Sequence, residues 1–293
     1  MISDFERIDK KAQLEKELKE YKGSDRVVLA EDKLKELEEE NKNIPKFALM
    51  TGISSLDECT TGFRKGQLIV VSGPPKSGKT SLCATLTKKL IEYKCLWFSY
   101  ELSYEEVFEN FPMEILDFTI PNQMQSGNLS WVEKRIIESI LKFQTKIVFI
   151  DHLDFLSDPE ILTSLKGVGL NNSNYVGGII QRLKDIARDN NLVIFLMCHI
   201  NKLKWTTNNL PDSEQIADSR KVVDLADIVM MIIRKRAKKG SDTIYEGNKA
   251  IVGVIENRKT GKTKKWLMGL IDKEFKEITD NYQEEDAFSN FNV

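Results

Sequence analysis

The sequence predicts an α/β fold in which a mostly parallel sheet is flanked by helices. Short, almost wholly apolar segments alternate with amphipathic helical segments, and strands buried on both faces of a parallel sheet have this composition. The helical segments include 82–90, 130–144 and 175–188. The predicted strands are 67–72, 95–100, 146–151, 192–198, 227–233, 250–255 and 266–271.

A glycine-rich loop between the first strand and the following helix fits the pattern G-x-x-x-x-G-K-[ST]. Gly73 and Gly78 let the backbone bend so that its N–H groups point at phosphate oxygens. Lys79 can reach the β and γ phosphates, and the Thr80 hydroxyl can hold Mg²⁺. Because strand, loop and helix follow in the right order, we expect a nucleoside triphosphate site rather than a chance turn. Its predicted contacts are Gly73, Pro74, Pro75, Lys76, Ser77, Gly78, Lys79, Thr80 and Ser81.

Composition limits the remaining possibilities. The 293 residues carry a net charge of −2, which excludes a uniformly basic nucleic-acid binder but leaves room for local basic clusters. The four cysteines include no C-x-x-C pair, which predicts reduced core residues rather than a zinc site or a disulfide framework. A charged N-terminus and the lack of an apolar run of about 20 residues predict a protein of the cytoplasm, the nucleoid or an organellar matrix, without a membrane partner.

Three regions are expected. Residues 1–45 form a charged helical linker or docking segment, in which four apolar residues follow a 3-4-3 spacing. That seam either packs back on its own domain or docks on a neighbouring subunit. Residues 46–272 form the core and 273–293 an acidic, flexible tail. The seam consists of Val27, Ala30, Leu34 and Leu37.

Smaller features complete the prediction. A short helix capped by Ser54 or Ser55 precedes the first strand, and Ser103 with Glu106 forms a capping box. Polar loops are expected at 156–173 and 201–220, and a basic hairpin or loop at 235–249.

Seven segments in order carry a family resemblance. They are T-G-I-S-S-L-D…T-G-F-R-K-G-Q-L at 51–68, the glycine-rich loop, L-W-F-S-Y-E-L-S at 96–103, V-F-I-D-H-L-D-F-L at 148–156, L-M-C-H-I-N-K at 196–202, D-L-A-D-I-V-M at 224–230 and E-N-R-K-T-G at 256–261. Through them the chain, from Phe47 to Ile271, resembles the RecA-fold motor domain of ring-shaped replicative DNA helicases, the DnaB and Twinkle/phage primase-helicase group. The C-H-I-N-K letters are more similar to the Twinkle/phage branch.

The resemblance implies catalytic roles at the ends of three strands. Glu101 would be the general base for ATP hydrolysis, although a glutamate here can also cap a helix on the surface. Asp151 would bind Mg²⁺, since an apolar strand that ends in aspartate needs a partner for the carboxylate. His199 would sense the γ-phosphate or serve only structure, and His152 is interpreted as structural.

Further residues are implied at the periphery. Arg258 would act as an arginine finger across a subunit interface. The family usually has lysine two residues earlier, where this chain has Glu256, so Arg258 acts alone or Lys259 compensates. Arg234 would lie near the nucleotide base. The loops 156–173 and 201–220 would grip single-stranded DNA, the second through phosphate contacts and base stacking, unless it is only a charged, solvated loop. Its candidate residues are Lys202, Lys204, Trp205, Arg220 and Lys221, the last lying just beyond it.

The sequence thus predicts an ATP- and Mg²⁺-dependent motor that assembles as a homo-hexameric ring. It would translocate on single-stranded DNA, unwind duplex and work with other replication proteins. Two alternatives remain open at this point. One is a recombination or annealing ATPase that forms filaments on DNA, and the other is a regulatory oligomeric ATPase that acts on protein partners.

Overall fold

The computed structural model divides the chain into two units, Met1–Phe47 and Ala48–Val293. It describes residues 48–111, 117–158, 160–161, 172–199, 220–239 and 242–278, together with 27–33 and single positions 17, 35 and 39. In the first unit residues 30–33 are helical, and Val27 and Ala30 of the predicted seam are exposed. Leu34 and Leu37 lie outside the described residues, so the docking alternatives stay predictions.

The second unit alternates strands and helices as predicted. In its described part the helices are α1 Ser54–Thr60, α2 Lys79–Lys89, α3 Tyr104–Asn110, α4 Leu129–Phe143, α5 Asn172–Asp189 and α6 Arg220–Leu225. The strands are β1 Gln67–Gly73, β2 Cys95–Ser99, β3 Ile147–Asp151, β4 Val193–His199, β5 Ile228–Lys239, β6 Asp242–Asn257, β7 Lys264–Ile271 and β8 Glu274–Glu277. Short 3-10 turns lie at Ile91–Tyr93 and Leu153–Leu156.

All eight strands form one sheet in the order β2-β3-β4-β1-β5-β6-β7-β8. The first five are parallel to their neighbours, and β6, β7 and β8 extend the sheet in antiparallel fashion. β1 connects through α2 to β2 on one side, whereas β4 connects past β1 to β5 on the other. The carboxyl ends of β1 and β4 therefore flank a topological switch point, where open α/β sheets bind ligands.

The strands bury both faces, so each alternates its side chains between two cores. Ile69 and Val71 of β1 pack into the core with α1 and α2, while Leu68 and Val70 pack into the core with α4, α5 and α6. All four of these side chains are fully buried. This two-sided burial explains why the strands lack the alternating polar pattern of half-exposed strands.

The end of the sheet corrects two expectations. Residues 274–277, predicted to belong to a flexible tail, form β8. Phe275 of this strand is fully buried, and its backbone N–H donates to the Thr85 hydroxyl on α2 at 2.9 Å. The predicted cap of α1 by Ser54 or Ser55 is also wrong. Glu277 of β8 accepts the Ser55 N–H at 3.2 and 3.3 Å instead, so a residue far along the chain satisfies that helix end.

The segment 235–249 is a hairpin, one of the two predicted forms. Its strands are longer than expected, since β5 runs to Lys239 and β6 starts at Asp242. The four cysteines are buried and free, in agreement with their predicted core role. None of the described helices combines the length and the apolar character that a membrane crossing would require.

We predict that Phe275 anchors β8 and supports the glycine-rich loop. Its ring lies against Gly78, where an added Cβ would be 3.1 Å from the ring edge. Phe275→Ala should lower the free energy of unfolding by about 3–5 kcal/mol, measured by urea denaturation. Lys276→Ala, the neighbouring exposed position on the same strand, should change it by less than about 0.5 kcal/mol. Equal small effects of both substitutions would contradict the anchoring role.

Candidate active site

The glycine-rich loop turns tightly against β5. A Cβ on Gly73 would lie 2.4 Å from the carbonyl oxygen of Ile232 and 2.7 Å from Ser77 Oγ, so only glycine fits. Gly78, just before α2, has φ of 98°, a conformation that glycine adopts without strain. Because α2 starts at Lys79, its first N–H groups face the loop and can bind an anion.

Lys79 is 6% exposed, and its side-chain ammonium, which has three N–H groups, has three polar neighbours. Nζ donates to the carbonyls of Gly73 (3.1 Å) and Pro74 (3.3 Å) and contacts His199 Nδ1 at 3.2 Å. Burial lowers the pKa of this lysine, an effect that the carboxylate of Asp151 opposes. A cation buried beside an anion-binding helix end provides a strong site for phosphate.

Thr80 and Asp151 meet where α2 begins and β3 ends. The Thr80 hydroxyl donates to Asp151 Oδ2 at 2.7 Å. Asp151 is fully buried, and its Oδ1 has no hydrogen-bond partner among the described residues. Burial raises the pKa of this carboxyl. A buried carboxylate oxygen in want of a partner, next to a hydroxyl oxygen, has the chemistry that Mg²⁺ prefers, so these residues fit the ion.

Glu101 lies beside this pair, just beyond β2, because Ser99 of β2 pairs with Asp151 of β3. Its Oε1 is 2.9 Å from His152 Nε2 and 3.4 Å from His199 Nε2. Hydrogen bonds from His152 and then His199 hold the pKa of this carboxyl well below its usual range. The capping alternative does not hold here, because Ser103 and Glu106 form the capping box of α3, as predicted.

The structure brings together five of the predicted residues and adds one. Four adjacent strands end at the same edge, so β1, β2, β3 and β4 deliver their terminal side chains to one place. His152, interpreted as structural, also lies there and contacts Glu101. Sequence reasoning had only its position after Asp151 as a signal. The residues at this edge are Lys79, Thr80, Glu101, Asp151, His152 and His199.

Two arginines lie elsewhere. Arg234 is half-buried on β5, two residues beyond Ile232, whose carbonyl closes on Gly73, so it lies at the end of the sheet that carries the glycine-rich loop. Arg258 is exposed just beyond Asn257, which pairs with Ile228 at the other end of β5. Ile228 pairs with Ile69 of β1, and Gly73 lies four residues, or about 13 Å, further along that strand. Arg258 is thus remote from the edge of its own chain where Lys79, Asp151 and Glu101 meet.

Of the predicted DNA-binding residues, Lys202, Lys204 and Trp205 lie outside the described part of the chain. Arg220 is the first residue of α6. Lys221 is exposed and its ammonium donates to Asn174 Oδ1 on α5 at 2.8 Å. Its aliphatic chain also lies against Gly177, where a Cβ would be 2.5 Å away. The starts of α5 and α6 are therefore in contact.

With this geometry in place, comparison with known proteins identifies the family. The model of the DnaB-like helicase C terminal domain matches residues 48–141 and 119–277. The chain belongs to this family. The match confirms the resemblance that the sequence motifs carry, and it spans the sheet from the segment before α1 to β8.

Relatives and solved structures agree with it. A "Probable replicative DNA helicase" of Trieres chinensis is 26% identical over 216 residues, which cover 64% of this chain and 47% of the relative. The "Replicative DNA helicase DnaB" of Helicobacter pylori is 26% identical over 218 residues, 63% of this chain and 43% of the relative. The chain thus spans about half or less of the length of these relatives.

The fold itself is confirmed by structural likeness. A solved structure described as an ATPase domain superposes with a TM-score of 0.69 at 16% identity, covering 87% of this chain and all of that domain. A structure described as a DnaB-like replicative helicase and its interactions with primase gives the same TM-score and identity, covering 86% of this chain and 69% of the other. The predicted RecA-like α/β fold with a mostly parallel sheet is therefore correct.

We predict that nucleotide binding depends on the close approach of β5 to the loop. Gly73→Ala should reduce the affinity for a fluorescent ATP analogue by at least about tenfold, since the Cβ cannot fit beside the Ile232 carbonyl. Gly178→Ala on α5 is the matched control, because a Cβ there meets nothing within 4 Å. The control should bind normally and melt at the same or a slightly higher temperature. Normal binding by Gly73→Ala would contradict the assigned loop geometry.

Proposed function

We propose that this chain is an ATP-driven motor that translocates on single-stranded DNA and unwinds duplex as a hexameric ring. The convergence of Lys79, Thr80, Asp151 and Glu101 at one sheet edge carries the proposal, because triphosphate hydrolysis needs a phosphate cradle, a metal ligand and a base together. Membership of the DnaB-like helicase family supports a DNA motor over other uses of this chemistry.

In the proposed reaction each residue has a separate task. Lys79 and the first N–H groups of α2 bind the β and γ phosphates, and Thr80 with Asp151 would hold Mg²⁺. A bound Mg²⁺ ion would neutralise charge on the phosphates during hydrolysis. Glu101 orients the attacking water and accepts its proton, and His199 contacts the γ-phosphate. Arg234 lies toward the nucleotide base.

The DNA-binding role is proposed for the loop 201–220 and the residues at its end. Lys221 supports this placement, because its contact with Asn174 brings the start of α6 to the start of α5. In the sequence, the predicted loops 156–173 and 201–220 run up to the first residues of these two helices. His199 ends β4 immediately before the second loop, which offers a direct connection between phosphate contact and DNA contact.

The ring is proposed because of where Arg258 lies. It is remote from the catalytic edge in its own chain, as a finger supplied to a neighbouring subunit would be. Its backbone N–H donates to Asp227 O at 2.9 Å, so its base is anchored while its side chain is exposed. Other replication proteins are proposed partners, and a structural relative is described with its interactions with primase. The cytoplasm is the proposed compartment.

Two alternatives from the sequence have tests of their own. A filament-forming recombination ATPase would show DNA-stimulated hydrolysis without unwinding a forked duplex. A regulatory ATPase would hydrolyse ATP at a rate indifferent to DNA. Family membership favours the helicase proposal over both.

We predict that Glu101→Gln separates binding from chemistry. The amide keeps the size of the side chain but cannot accept a proton, so ATP turnover should fall by about 10²-fold or more while nucleotide affinity stays near that of the parent. Lys79→Ala should lose affinity as well, because it removes the cation that meets the phosphates. Glu105→Gln, the same change at an exposed position of α3, is the control and should hydrolyse ATP normally. Parental turnover in Glu101→Gln would remove the base from the proposal.

We predict that single-stranded DNA accelerates hydrolysis and that its affinity falls steeply with salt. Because the chain carries a net charge of −2, binding must come from locally concentrated cations. Replacing Lys202 and Lys204 by Ala should reduce the log–log salt slope by about one unit per lost phosphate contact and weaken the stimulation. The control replaces Lys262 and Lys276, two exposed lysines of the antiparallel region, by Ala.

These measurements decide among the proposals. Unwinding of a forked duplex by the parent, lost in the loop variant and kept in the control, supports the motor. If DNA at low salt neither binds nor changes the hydrolysis rate, the regulatory alternative replaces it.

A further inference from the structure

Glu101 contacts two histidines, and the proposed hydrolysis assigns no role to the contact with His152. Both Nε2 atoms approach the same carboxylate oxygen, Oε1, at 2.9 Å from His152 and 3.4 Å from His199. The two rings are nearly perpendicular, with centroids 4.1 Å apart. Both closest approaches are thus to Oε1. One oxygen is held from two directions, and within the described part of the chain Oε2 has no hydrogen-bond or ion-pair partner, so it can meet a water molecule.

The same three residues could in principle form a metal site, since their ligand atoms lie within 4.8 Å of one another. The hydrogen bonds on the far side of each ring argue against it. The Asp154 N–H donates to His152 Nδ1 at 3.2 Å, and the Lys79 ammonium lies 3.2 Å from His199 Nδ1. Each Nδ1 must therefore accept, which places the proton of a neutral imidazole on Nε2. A protonated Nε2 has no lone pair for a metal but donates well to a carboxylate.

We propose that His152 is a positioning residue, whose Nε2–H fixes Oε1 of Glu101 so that Oε2 faces the attacking water. This inference rests on the proposed role of Glu101 as the base. An unrestrained glutamate side chain samples several rotamers, and a base in the wrong one cannot reach the water. A charge-assisted hydrogen bond from a fixed donor removes that freedom.

His152 suits this role better than His199. It is 2% exposed, follows Asp151 at the end of β3, and its ring packs against Phe155 with centroids 5.6 Å apart. Its Nδ1 accepts from a backbone N–H, which is a more rigid partner than a long side chain. His199 instead contacts Lys79, a side chain that the proposed reaction commits to phosphate. His152 is therefore the donor that stays in place through the cycle.

Two substitutions at this position separate the functions of its two nitrogens. Asparagine places a polar atom near the position of Nδ1, so His152→Asn can still accept the Asp154 N–H but has no group that reaches Glu101. Glutamine places its amide nitrogen near the position of Nε2, so His152→Gln restores the donor. We expect single-turnover hydrolysis to fall by about tenfold in His152→Asn, with the KM for ATP within about twofold of the parent. His152→Gln should recover to within about threefold of the parental rate.

Three measurements test the positioning role: the hydrolysis rate, the melting temperature and the effect of His152→Asn in a Glu101→Gln background. A hydrolysis rate in His152→Asn equal to or above that of the parent overturns the proposal. In that case, the gain in basicity of Glu101 on loss of a hydrogen-bond donor would outweigh the loss of its fixed orientation. Equal losses in both variants together with lowered melting temperatures also overturn it, since they indicate a structural histidine. In a Glu101→Gln background His152→Asn should cost less than about twofold, because there is no base left to position. A full further tenfold loss there contradicts action through Glu101.

The same variants distinguish a failure of the proposed base from a failure of the positioning role alone. If Glu101→Gln hydrolyses ATP at the parental rate, the proposed base is wrong and the positioning role falls with it. If Glu101→Gln is inactive but His152→Asn is normal, the base stands and only the present inference fails.

Discussion

Two opposite charges buried at the same sheet edge set the conditions for the rest of this site. Asp151 is fully buried and Lys79 nearly so, and a buried charge is costly unless it is paired or hydrogen-bonded. Lys79 meets this requirement with loop carbonyls and His199, and Asp151 only in part through Thr80. The carboxylate oxygen left over is the physical reason that a divalent cation fits here. The glycine-rich loop has to be tight, because only then do the carbonyls of Gly73 and Pro74 reach the Lys79 ammonium.

The antiparallel half of the sheet supplies the support behind that loop. β5 brings the Ile232 carbonyl against Gly73, and β8 brings the Phe275 ring against Gly78. β8 also donates its Phe275 N–H to Thr85, a residue of the helix that follows the loop. β5 and β8 therefore help to determine the shape of the glycine-rich loop. A loop that is local in sequence depends on residues about 160 to 200 positions away, and that dependence is visible only in the fold.

What the sequence could predict follows the same division. The loop, Thr80 and Asp151 were predictable because strand, loop and helix signals are local, and the resemblance added Glu101 and His199 at strand ends. β8 was missed because four residues with a single apolar side chain resemble an acidic tail. Glu277 as the cap of α1 could not be found, since caps are sought next to the helix in sequence. The roles of the site residues remain proposals.

The two carboxylates of the site lie in opposite environments, which suits their proposed roles as metal ligand and base. Burial raises the pKa of Asp151, whereas hydrogen-bond donors lower the pKa of Glu101. Opposite environments for neighbouring acids are how proteins assign them different tasks. An Asp151 that resists ionisation alone gains most from a cation, which suits a ligand. Glu101, with 35% of its side chain exposed, stays ionised beside water. In the proposed reaction its two donors would weaken it as a base, so its contribution to hydrolysis would come mainly from where its second oxygen points.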